Sequence, residues 1–573
     1  MHRKRRGKNK YKEIIVIGGA LACMFFAALV FSKFYLPGNT ELSMQEVESS
    51  EISEGEKIED AAAGVEREDI ACGTDKNITW RIDADGKLTV EGTGEFSSLS
   101  VKPWDSEREK IKSAVVRVTG LKNASYMFCH CSNLRSVDLS GFDTSSVTDM
   151  HAMFYDCSGL RSVDLSSLDT HNVTDMFEMF SHCSSLTSLN ISGFDTGSVT
   201  DMRYMFSDCS SLISLDLSGF DTHSVTDMSW MFSGCSGLTS LDIKGFDTSS
   251  VIDMTWMFQD CRSLTSLDVS SFDTGNVTEM TGMFRNCRSL TSLDLSNFDT
   301  GSVTSMNGMF LNCSRLTSVD VSSFDTHSVT SMSYMFSDCN GLTSVDMSSF
   351  DTRSVISMSY MFSDCNGLTS VDVSSFDTGS VTDINGMFED CRDLKNIDLS
   401  SFDTGSVREM RWMFYGCMSL TRLDLSNFDT SSVTDMSWMF YDCSSLTSLD
   451  MSGFDTGSVT NMGNMFHNCS SLSSLDLSGF DAGSVTYMNG MFTGCSKLST
   501  ICIPYNIPAL SASGTAALPT AAQAVLPTAA ETDVWYDVAA NTYITLPEEL
   551  DHSIILAKNR IPDATKVQLT GDK

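Results

Sequence analysis

The 573-residue sequence has few prolines and few basic residues for its length. Only eight prolines interrupt a chain that is 41% hydrophobic, which argues against wholesale disorder. Lysine and arginine number 38 against 74 aspartates and glutamates, so the formal net charge is -36. Because phosphate binding depends on clustered Lys and Arg, this balance excludes nucleic acid as the expected partner. An acidic surface favours solubility, cations or basic partner surfaces instead.

Catalytic signatures are also missing. The sequence contains no G-x-S-x-G, H-E-x-x-H or G-x-x-x-x-G-K-[ST] motif, and its nine histidines are scattered. Cys129-His130-Cys131 adjoins a repeated cysteine position and does not form a zinc motif. Because no nucleophile stands beside a base and an orienting group, we predict that the protein is not an enzyme, with no cofactor and no metal site.

An apolar segment follows a basic N-terminus. Residues 3–12 contain seven Lys or Arg, and residues 14–32 form an uncharged run of 19 residues, long enough to span a bilayer. Basic residues before a span hold the N-terminus in the cytoplasm, so we expect a single-pass signal-anchor that leaves the bulk of the chain outside the cell. A cleaved signal peptide is the alternative, although residues 31–36 contain no small-x-small site, and a lipoprotein-type site at Cys23 is another.

The centre of the sequence repeats every 26 residues. From Met127 to Gly490 there are 14 consecutive units without insertion or deletion, and a fifteenth begins at Met491. Within a unit, the spacing of Leu134, Val137 and Leu139 matches a leucine-rich repeat and predicts a short strand. No unit can bury its apolar residues alone, so the units are expected to stack into a solenoid with a continuous core.

The second half of each unit has a different apolar spacing. Val147, Met150, Met153, Phe154 and Cys157 fall on one side of a helical wheel, which predicts a short helix after the strand. The Asp143 position, which is Asp in every unit, precedes that segment and is interpreted as a cap or turn. We therefore predict an α/β solenoid of about 15 coils, with a short strand and a short helix in each.

Composition divides the rest of the chain. The predicted order is a cytoplasmic basic segment (1–13), the membrane span (14–32), an acidic extracellular stalk (33–70), a β-rich N-terminal cap (71–126), the repeat solenoid with its C-terminal cap (127–507), an Ala/Pro-rich linker (508–533) and a small β-like module (534–573).

The repeat consensus Met-Phe-x-x-Cys-x-x-Leu-x-x-Leu-Asp-Leu-Ser-x-Phe-Asp-Thr resembles the BspA-like surface proteins, a bacterial leucine-rich-repeat family. Cys72-Gly73, Trp80 and Pro103-Trp104 resemble the module that precedes such repeats. The resemblance covers about residues 71–507 and implies attachment to host matrix proteins or other cells. It transfers no defined binding residue.

Repeated polar and cysteine positions have structural interpretations. Fifteen of the 19 cysteines recur every 26 residues from Cys131 to Cys495, which is typical of a buried ladder of free thiols, with cross-coil disulfides as the alternative. Ser136, Asp138 and Ser140 recur on the outward strand face. We interpret that aspartate file as solvated, with weak Ca²⁺ binding as the alternative.

One aromatic position varies between units and is the candidate binding site. On the predicted helix it lies opposite the apolar face and should be exposed, so its rings either bind a partner or cover neighbouring coils. The candidate residues are Tyr204, Trp230, Trp256, Tyr334, Tyr360, Trp412, Tyr415, Trp438 and Tyr441. The leading hypothesis is an adhesin-like cell-surface protein that binds an extracellular protein or cell-surface ligand. The alternative is a structural surface-layer protein that assembles laterally, with cations between its acidic faces.

Overall fold

The computed structural model describes residues 68–477, 479–498, 500–503, 535–537, 542–544 and 554–558. All of them fall in one compact unit, Arg67–Lys573. Within these residues no helix is long and apolar enough to cross a membrane. The predicted membrane span at residues 14–32 lies outside the described residues.

The N-terminal part of this unit is a sheet that runs into the repeats. Its order is β1-β2-β3-β4-β5, in which β1 to β3 are antiparallel, and β3, β4 and β5 are parallel. The Trp104 side chain is fully buried beside this sheet, and its Nε1 donates to the Met127 carbonyl at 3.1 Å. The elements are β1 (Ala71–Asp75), β2 (Ile78–Ile82), β3 (Lys87–Thr93), a 3-10 helix (Asp105–Lys110), β4 (Ser113–Thr119) and β5 (Ser136–Asp138).

The repeats stack into a solenoid of about 14 turns, as the 26-residue period predicts. Each strand is three residues long and pairs in parallel with the residues 26 positions later, so that Leu293 lies beside Val319. The central residue of each strand is buried or half-buried and its two neighbours are exposed, which confirms the predicted alternation. After β5 the repeat strands are β6 (Ser162–Asp164), β7 (Ser188–Asn190), β8 (Ser292–Asp294), β9 (Ser318–Asp320), β10 (Arg422–Asp424), β11 (Ser448–Asp450) and β12 (Ser474–Asp476).

A second five-stranded sheet forms at the C-terminal end of the stack. Strand β13 (Thr500–Ile503) continues the parallel stack beside β12. Strand β16 (Ile554–Lys558) pairs antiparallel with β13 and with β14 (Trp535–Asp537), and β14 pairs antiparallel with β15 (Thr542–Ile544). The repeat stack thus has mixed-direction strands joined to both of its ends.

The core consists of files of identical side chains, one from each coil. The Phe154 and Phe180 rings are fully buried and stack with centroids 5.6 Å apart and planes 4° apart, and the next pair, Phe180 and Phe206, repeats this geometry. Every cysteine from Cys131 to Cys495 is at most 1% exposed, so the predicted core ladder is confirmed. Each thiol from Cys157 onward donates to the carbonyl of a phenylalanine in the preceding coil at 3.0–3.2 Å, as Cys157 does to Phe128.

The predicted short helix in each repeat is wrong. In residues 150–157, alternate backbone N–H groups leave the coil: Ala152 donates to Phe177 and Phe154 donates to Met179, both in the next coil. The intervening N–H groups close three-residue turns, such as Tyr155 to the Ala152 carbonyl. A helix would use every N–H within its own segment, so it cannot also form this ladder between coils. The segment is therefore a chain of tight turns, although the residues predicted to be buried are the buried ones.

Two positions of each coil adopt left-handed backbone conformation. In one coil these are Ala152, with φ of 50°, and Asp156, with φ of 52°. The second position is occupied throughout by Asp, Asn, Gly or His, residue types enriched in this region, whereas the first position is the candidate aromatic column. Left-handed residues reverse the local turn, which directs alternate N–H groups along the stack.

A buried threonine takes over the predicted capping position. The Thr352 hydroxyl donates to the Asp377 carbonyl at 2.7 Å and accepts from the Asp377 N–H at 2.8 Å, and most coils repeat this bond. Since no helix follows, Asp143 does not cap one. Its Oδ1 accepts from the Ser145 N–H at 3.1 Å and from the Ser145 hydroxyl at 2.7 Å, which fixes a tight turn.

Candidate functional site

The aromatic column lies in the turn segment of each coil, one residue before a buried methionine. Trp230 and Trp256 have φ of 61° and 53°, and Gly282 continues the column with φ of 59°. The predicted reason for exposure, a helix face turned away from the core, is wrong because these residues are not in a helix. Of the nine candidates, Tyr334 is exposed at 42% and the other eight are half-buried.

The first group of candidate rings forms a continuous stack. Tyr204 and Trp230 are 5.2 Å apart with planes 14° apart, and Trp230 meets Trp256 at 4.0 Å in an edge arrangement. We call Tyr204, Trp230 and Trp256 the N-terminal aromatic file. Phe177 contacts Tyr204 at 5.8 Å and His151 contacts Phe177 at 4.7 Å, so the stack continues through two residues that the sequence analysis missed. They belong to the preceding repeat position, and only the 25-residue spacing from a candidate position could have indicated them.

The second group is interrupted by Gly386. Tyr334 and Tyr360 stack at 4.9 Å, and Tyr360 reaches Trp412 at 6.4 Å across the glycine. Beyond it, Trp438 lies 5.1 Å from Tyr441. Tyr415 and Tyr441 stack at 4.8 Å, and Tyr441 continues to His467 at 4.4 Å, a further residue that the sequence analysis did not single out. The structure therefore brings together the residues predicted to merge into one patch.

A file of carboxylates borders the N-terminal aromatic file. It consists of Asp149, Asp175, Asp201, Asp227, Asp253 and Glu279, which succeed one another in adjacent coils joined by parallel backbone bridges. All six side chains are half-buried. Burial raises the pKa of Asp227, and the adjacent Asp253 carboxylate adds to the shift. Burial likewise raises the pKa of Glu279, with a further contribution from Asp253.

Carboxylates also surround the second aromatic group. Burial, followed by the charges of Asp364 and Asp390, raises the pKa of Glu389 to about 7. Burial and the nearby Glu389 raise the pKa of Tyr360 to about 12. Both shifts arise because negative charge is unfavourable where water is partly excluded and other carboxylates are close. Both aromatic groups thus lie in surroundings that favour an added positive charge.

The strand-face aspartates have partners within their own coils. The Asp138 Oδ1 accepts from the Ser140 N–H at 3.0 Å and from its hydroxyl at 2.7 Å, and these bonds lower the pKa of Asp138. Later coils repeat this arrangement, as in Asp320 with Ser322. Among the described residues, no group of three His, Cys, Asp or Glu side chains could hold a metal ion. Calcium binding by this file stays a prediction.

The repeats match a known family. A sequence model described as "Mycoplasma protein of unknown function, DUF285" matches residues 122–241, 213–319, 288–395, 315–423 and 412–512, which together cover more than half of the chain. The chain belongs to this family. The family match spans the 26-residue repeats, and the resemblance to the BspA-like leucine-rich-repeat proteins is confirmed. No curated protein matches the chain.

Several solved structures of repeat proteins also align with this family member. A leucine-rich repeat protein from Bacteroides ovatus is 16% identical over 71% of this chain and 94% of its own, with a TM-score of 0.35. A leucine-rich repeat protein from Eubacterium ventriosum is 16% identical over 73% and 93%, with a TM-score of 0.24. A leucine rich cell surface protein from Faecalibacterium prausnitzii is 15% identical over 75% and 94%, with a TM-score of 0.26.

Proposed function

We propose that this protein is a non-enzymatic, adhesin-like cell-surface protein that binds an extracellular partner through its two aromatic groups. The N-terminal span at residues 14–32 would anchor it, with the repeats outside the cell. The observation that carries the proposal is the conformation of the aromatic column. Large rings occupy a left-handed position that glycine fills in other coils of the same stack.

That placement is unfavourable for the fold by itself. A residue with a Cβ costs about 1–2 kcal/mol in left-handed conformation, a cost that glycine avoids. Trp230, Trp412 and Trp438 are held there with φ of 61°, 57° and 64°. Strained positions of this kind cluster at functional sites, and Trp and Tyr are the residues that dominate the energy of binding surfaces. Packing between coils accounts for part of each ring's area, but it does not require an aromatic residue at this position.

Substituting the rings with glycine tests the proposal with little risk to the fold. Trp230→Gly with Trp256→Gly, and separately Trp412→Gly with Trp438→Gly, would recreate the residue found at Gly282, Gly308 and Gly386. Lost ring packing and relieved backbone strain should offset each other, so we expect the free energy of unfolding to change by no more than about 1 kcal/mol. Attachment of cells displaying the full chain to matrix proteins or other cells should fall at least tenfold.

Matched aromatic variants complete that experiment. Trp→Tyr at the same four positions keeps a ring of a type already present at Tyr204 and Tyr360, and should retain attachment to within about threefold. Attachment that survives all four glycine substitutions, in protein with an unchanged circular dichroism spectrum, would rule out the aromatic column as the binding surface.

The surface-layer hypothesis predicts a different behaviour. Lateral assembly through cations would make the size of particles in solution depend on Ca²⁺. Light scattering of the full chain with and without Ca²⁺ separates the two hypotheses. Calcium-dependent polymers would favour the layer, whereas a constant particle size would oppose it.

A further inference from the structure

The protein already holds two of its own arginines against the aromatic groups. The Arg203 guanidinium carbon lies 4.8 Å from the centre of the Phe177 ring in the preceding coil. Its Nη2 is 2.5 Å from Asp201 Oδ2, and its Nε is 3.8 Å from Asp227 Oδ2. A ring from one coil and carboxylates from the next two coils thus bind one guanidinium.

The same arrangement recurs in the second aromatic group. The Arg411 guanidinium carbon lies 4.9 Å from the centre of the Trp412 ring, and its Nε is 3.6 Å from Glu409 Oε2. Arg203 and Arg411 occupy the same repeat position, eight coils apart. The contact is therefore a property of the repeat and not of one coil.

The coils that follow Arg203 keep the ring and the carboxylates but lack the cation. At the arginine position they have Ser229, Thr255 and Thr281, whose side chains are short and uncharged. Trp230 and Trp256 continue the rings, while Asp253 and Glu279 continue the carboxylates. In the described part of the chain, neither Asp253 nor Glu279 forms an ion pair with a basic side chain.

The repeat indicates which ring lies near which carboxylate. The pKa of the Tyr126 hydroxyl is raised by burial and by several neighbouring charges, among them Asp149 and Asp175, which belong to the next two coils. Tyr334 is influenced in the same way by Asp383, two coils later. The same registration places Trp230 beside Asp253 and Glu279.

We propose that the surface formed by Trp230, Trp256, Asp227, Asp253 and Glu279 binds an arginine side chain on an extended segment of a partner protein. This inference rests on the proposed function and names the chemistry of its partner. A planar guanidinium can contact a ring with its face and carboxylates with its edge, as Arg203 does, whereas a lysine ammonium is a compact, strongly hydrated charge. The net charge of -36 would draw a basic partner toward the surface.

A peptide pair tests the preference for arginine. The probes are a capped hexapeptide of alternating arginine and glycine, and the same peptide with lysine in place of arginine, titrated calorimetrically into the full chain at 50 and 300 mM salt. We expect the arginine peptide to bind at least tenfold more tightly than the lysine peptide at both salt concentrations. Equal affinities that both disappear at high salt would reduce the interaction to general attraction between opposite charges and overturn the proposal.

Variants locate the binding site. Trp230→Gly with Trp256→Gly leaves the net charge unchanged and should weaken the arginine peptide at least tenfold, while Trp→Tyr at both positions should restore binding to within about threefold. Asp253→Asn should weaken it about tenfold. Asp294→Asn makes the same change of charge on the exposed strand face and should leave the affinity within twofold. Equal losses from the two aspartate variants would contradict the assigned site.

The two levels of the proposal fail separately. If the tryptophan variants lose cell attachment but the arginine peptide does not bind, the proposed function stands and the arginine chemistry is wrong. Attachment that oligosaccharides block and arginine peptides do not would assign the rings to a carbohydrate instead. If the peptide binds as expected while attachment is unaffected by the tryptophan variants, the site exists but the proposed function is wrong.

Discussion

The Trp256 ring lies directly over the backbone of Gly282 in the next coil. A Cβ atom built on Gly282 would be 2.1 Å from Trp256 Cδ1 and 2.3 Å from its Nε1, closer than real Cβ atoms approach a neighbour. The ring can lean along the stack only because the next residue of the column has no side chain. Gly386 stands in the same relation to Tyr360, with 2.4 Å to its Cε1 atom.

Gly282→Ala should therefore displace the Trp256 ring. We expect a loss of about 2–4 kcal/mol in the free energy of unfolding, the sum of left-handed strain and an overpacked contact, together with a changed tryptophan emission spectrum. Gly308→Ala is the matched control, because Gly308 has φ of 56° but its nearest contact would be Leu311 Cβ at an ordinary 3.5 Å. Equal losses from the two variants would show that the ring does not occupy the described position.

Thr352→Val should destabilise the stack through two backbone groups. The variant leaves the buried Asp377 N–H and carbonyl without the hydroxyl that bonds both, which should cost about 2–4 kcal/mol. Thr330→Val is the control. Its exposed hydroxyl bonds only the Thr304 carbonyl at 3.1 Å, and Ile356 occupies the same position in the next coil, so the cost should stay below about 1 kcal/mol. Chemical denaturation measures both, and similar losses would contradict the role of the buried ladder.

The cysteine ladder should resist thiol reagents in the folded protein. Burial raises the pKa of Cys313 and Cys365 to about 12, so almost no reactive thiolate exists near neutral pH. In a variant with Cys23, Cys72, Cys129 and Cys502 replaced by serine, a maleimide at pH 8 should label fewer than one thiol per chain before denaturation and all 15 afterwards, counted by mass spectrometry. Rapid labelling of the folded variant would show that the ladder is open to water.

The stability of the repeats should fall as pH rises toward and beyond 7. Glu389 has a pKa of about 7 in the folded chain against an ordinary value of 4.5, so the folded state binds the proton more tightly. Between these two values protonation stabilises the fold, and that contribution is lost as pH rises through the folded pKa.

Glu389→Gln should remove this dependence. We expect the melting temperature of the native chain to drop by about 1–2 °C between pH 5 and pH 8, and the drop to shrink in the variant. Glu409→Gln, which lies near Arg411 in the next coil, should leave the dependence in place. An unchanged slope in Glu389→Gln would place the titrating group elsewhere.

Local periodicity predicted burial more accurately than backbone conformation. Val147, Met150, Met153, Phe154 and Cys157 were expected on a helix, and all five are fully buried, but on tight turns. Their spacing of three and four residues places side chains on one side in either structure. What the spacing does not encode is the partner of each N–H group, because Ala152 bonds Phe177 in another coil and a single repeat contains no information about that bond.

The candidate site shows the same division. The sequence identified the nine aromatic residues because their column varies among otherwise uniform repeats. It did not identify Phe177 or His151, which join the rings from a different repeat position, nor the carboxylate file beside them. Those contacts depend on how far a side chain leans toward the next coil, and the left-handed backbone sets that direction.

The sequence by itself determined the 26-residue period, the stacked architecture and the buried files, since apolar side chains that recur at one interval can leave water only by stacking on their own copies. The tertiary structure alone decided that hydrogen bonds run between coils in place of a helix, and that rings, carboxylates and arginines share one surface. Both depend on neighbours 25 or 26 residues away, so no local preference of the chain could specify them.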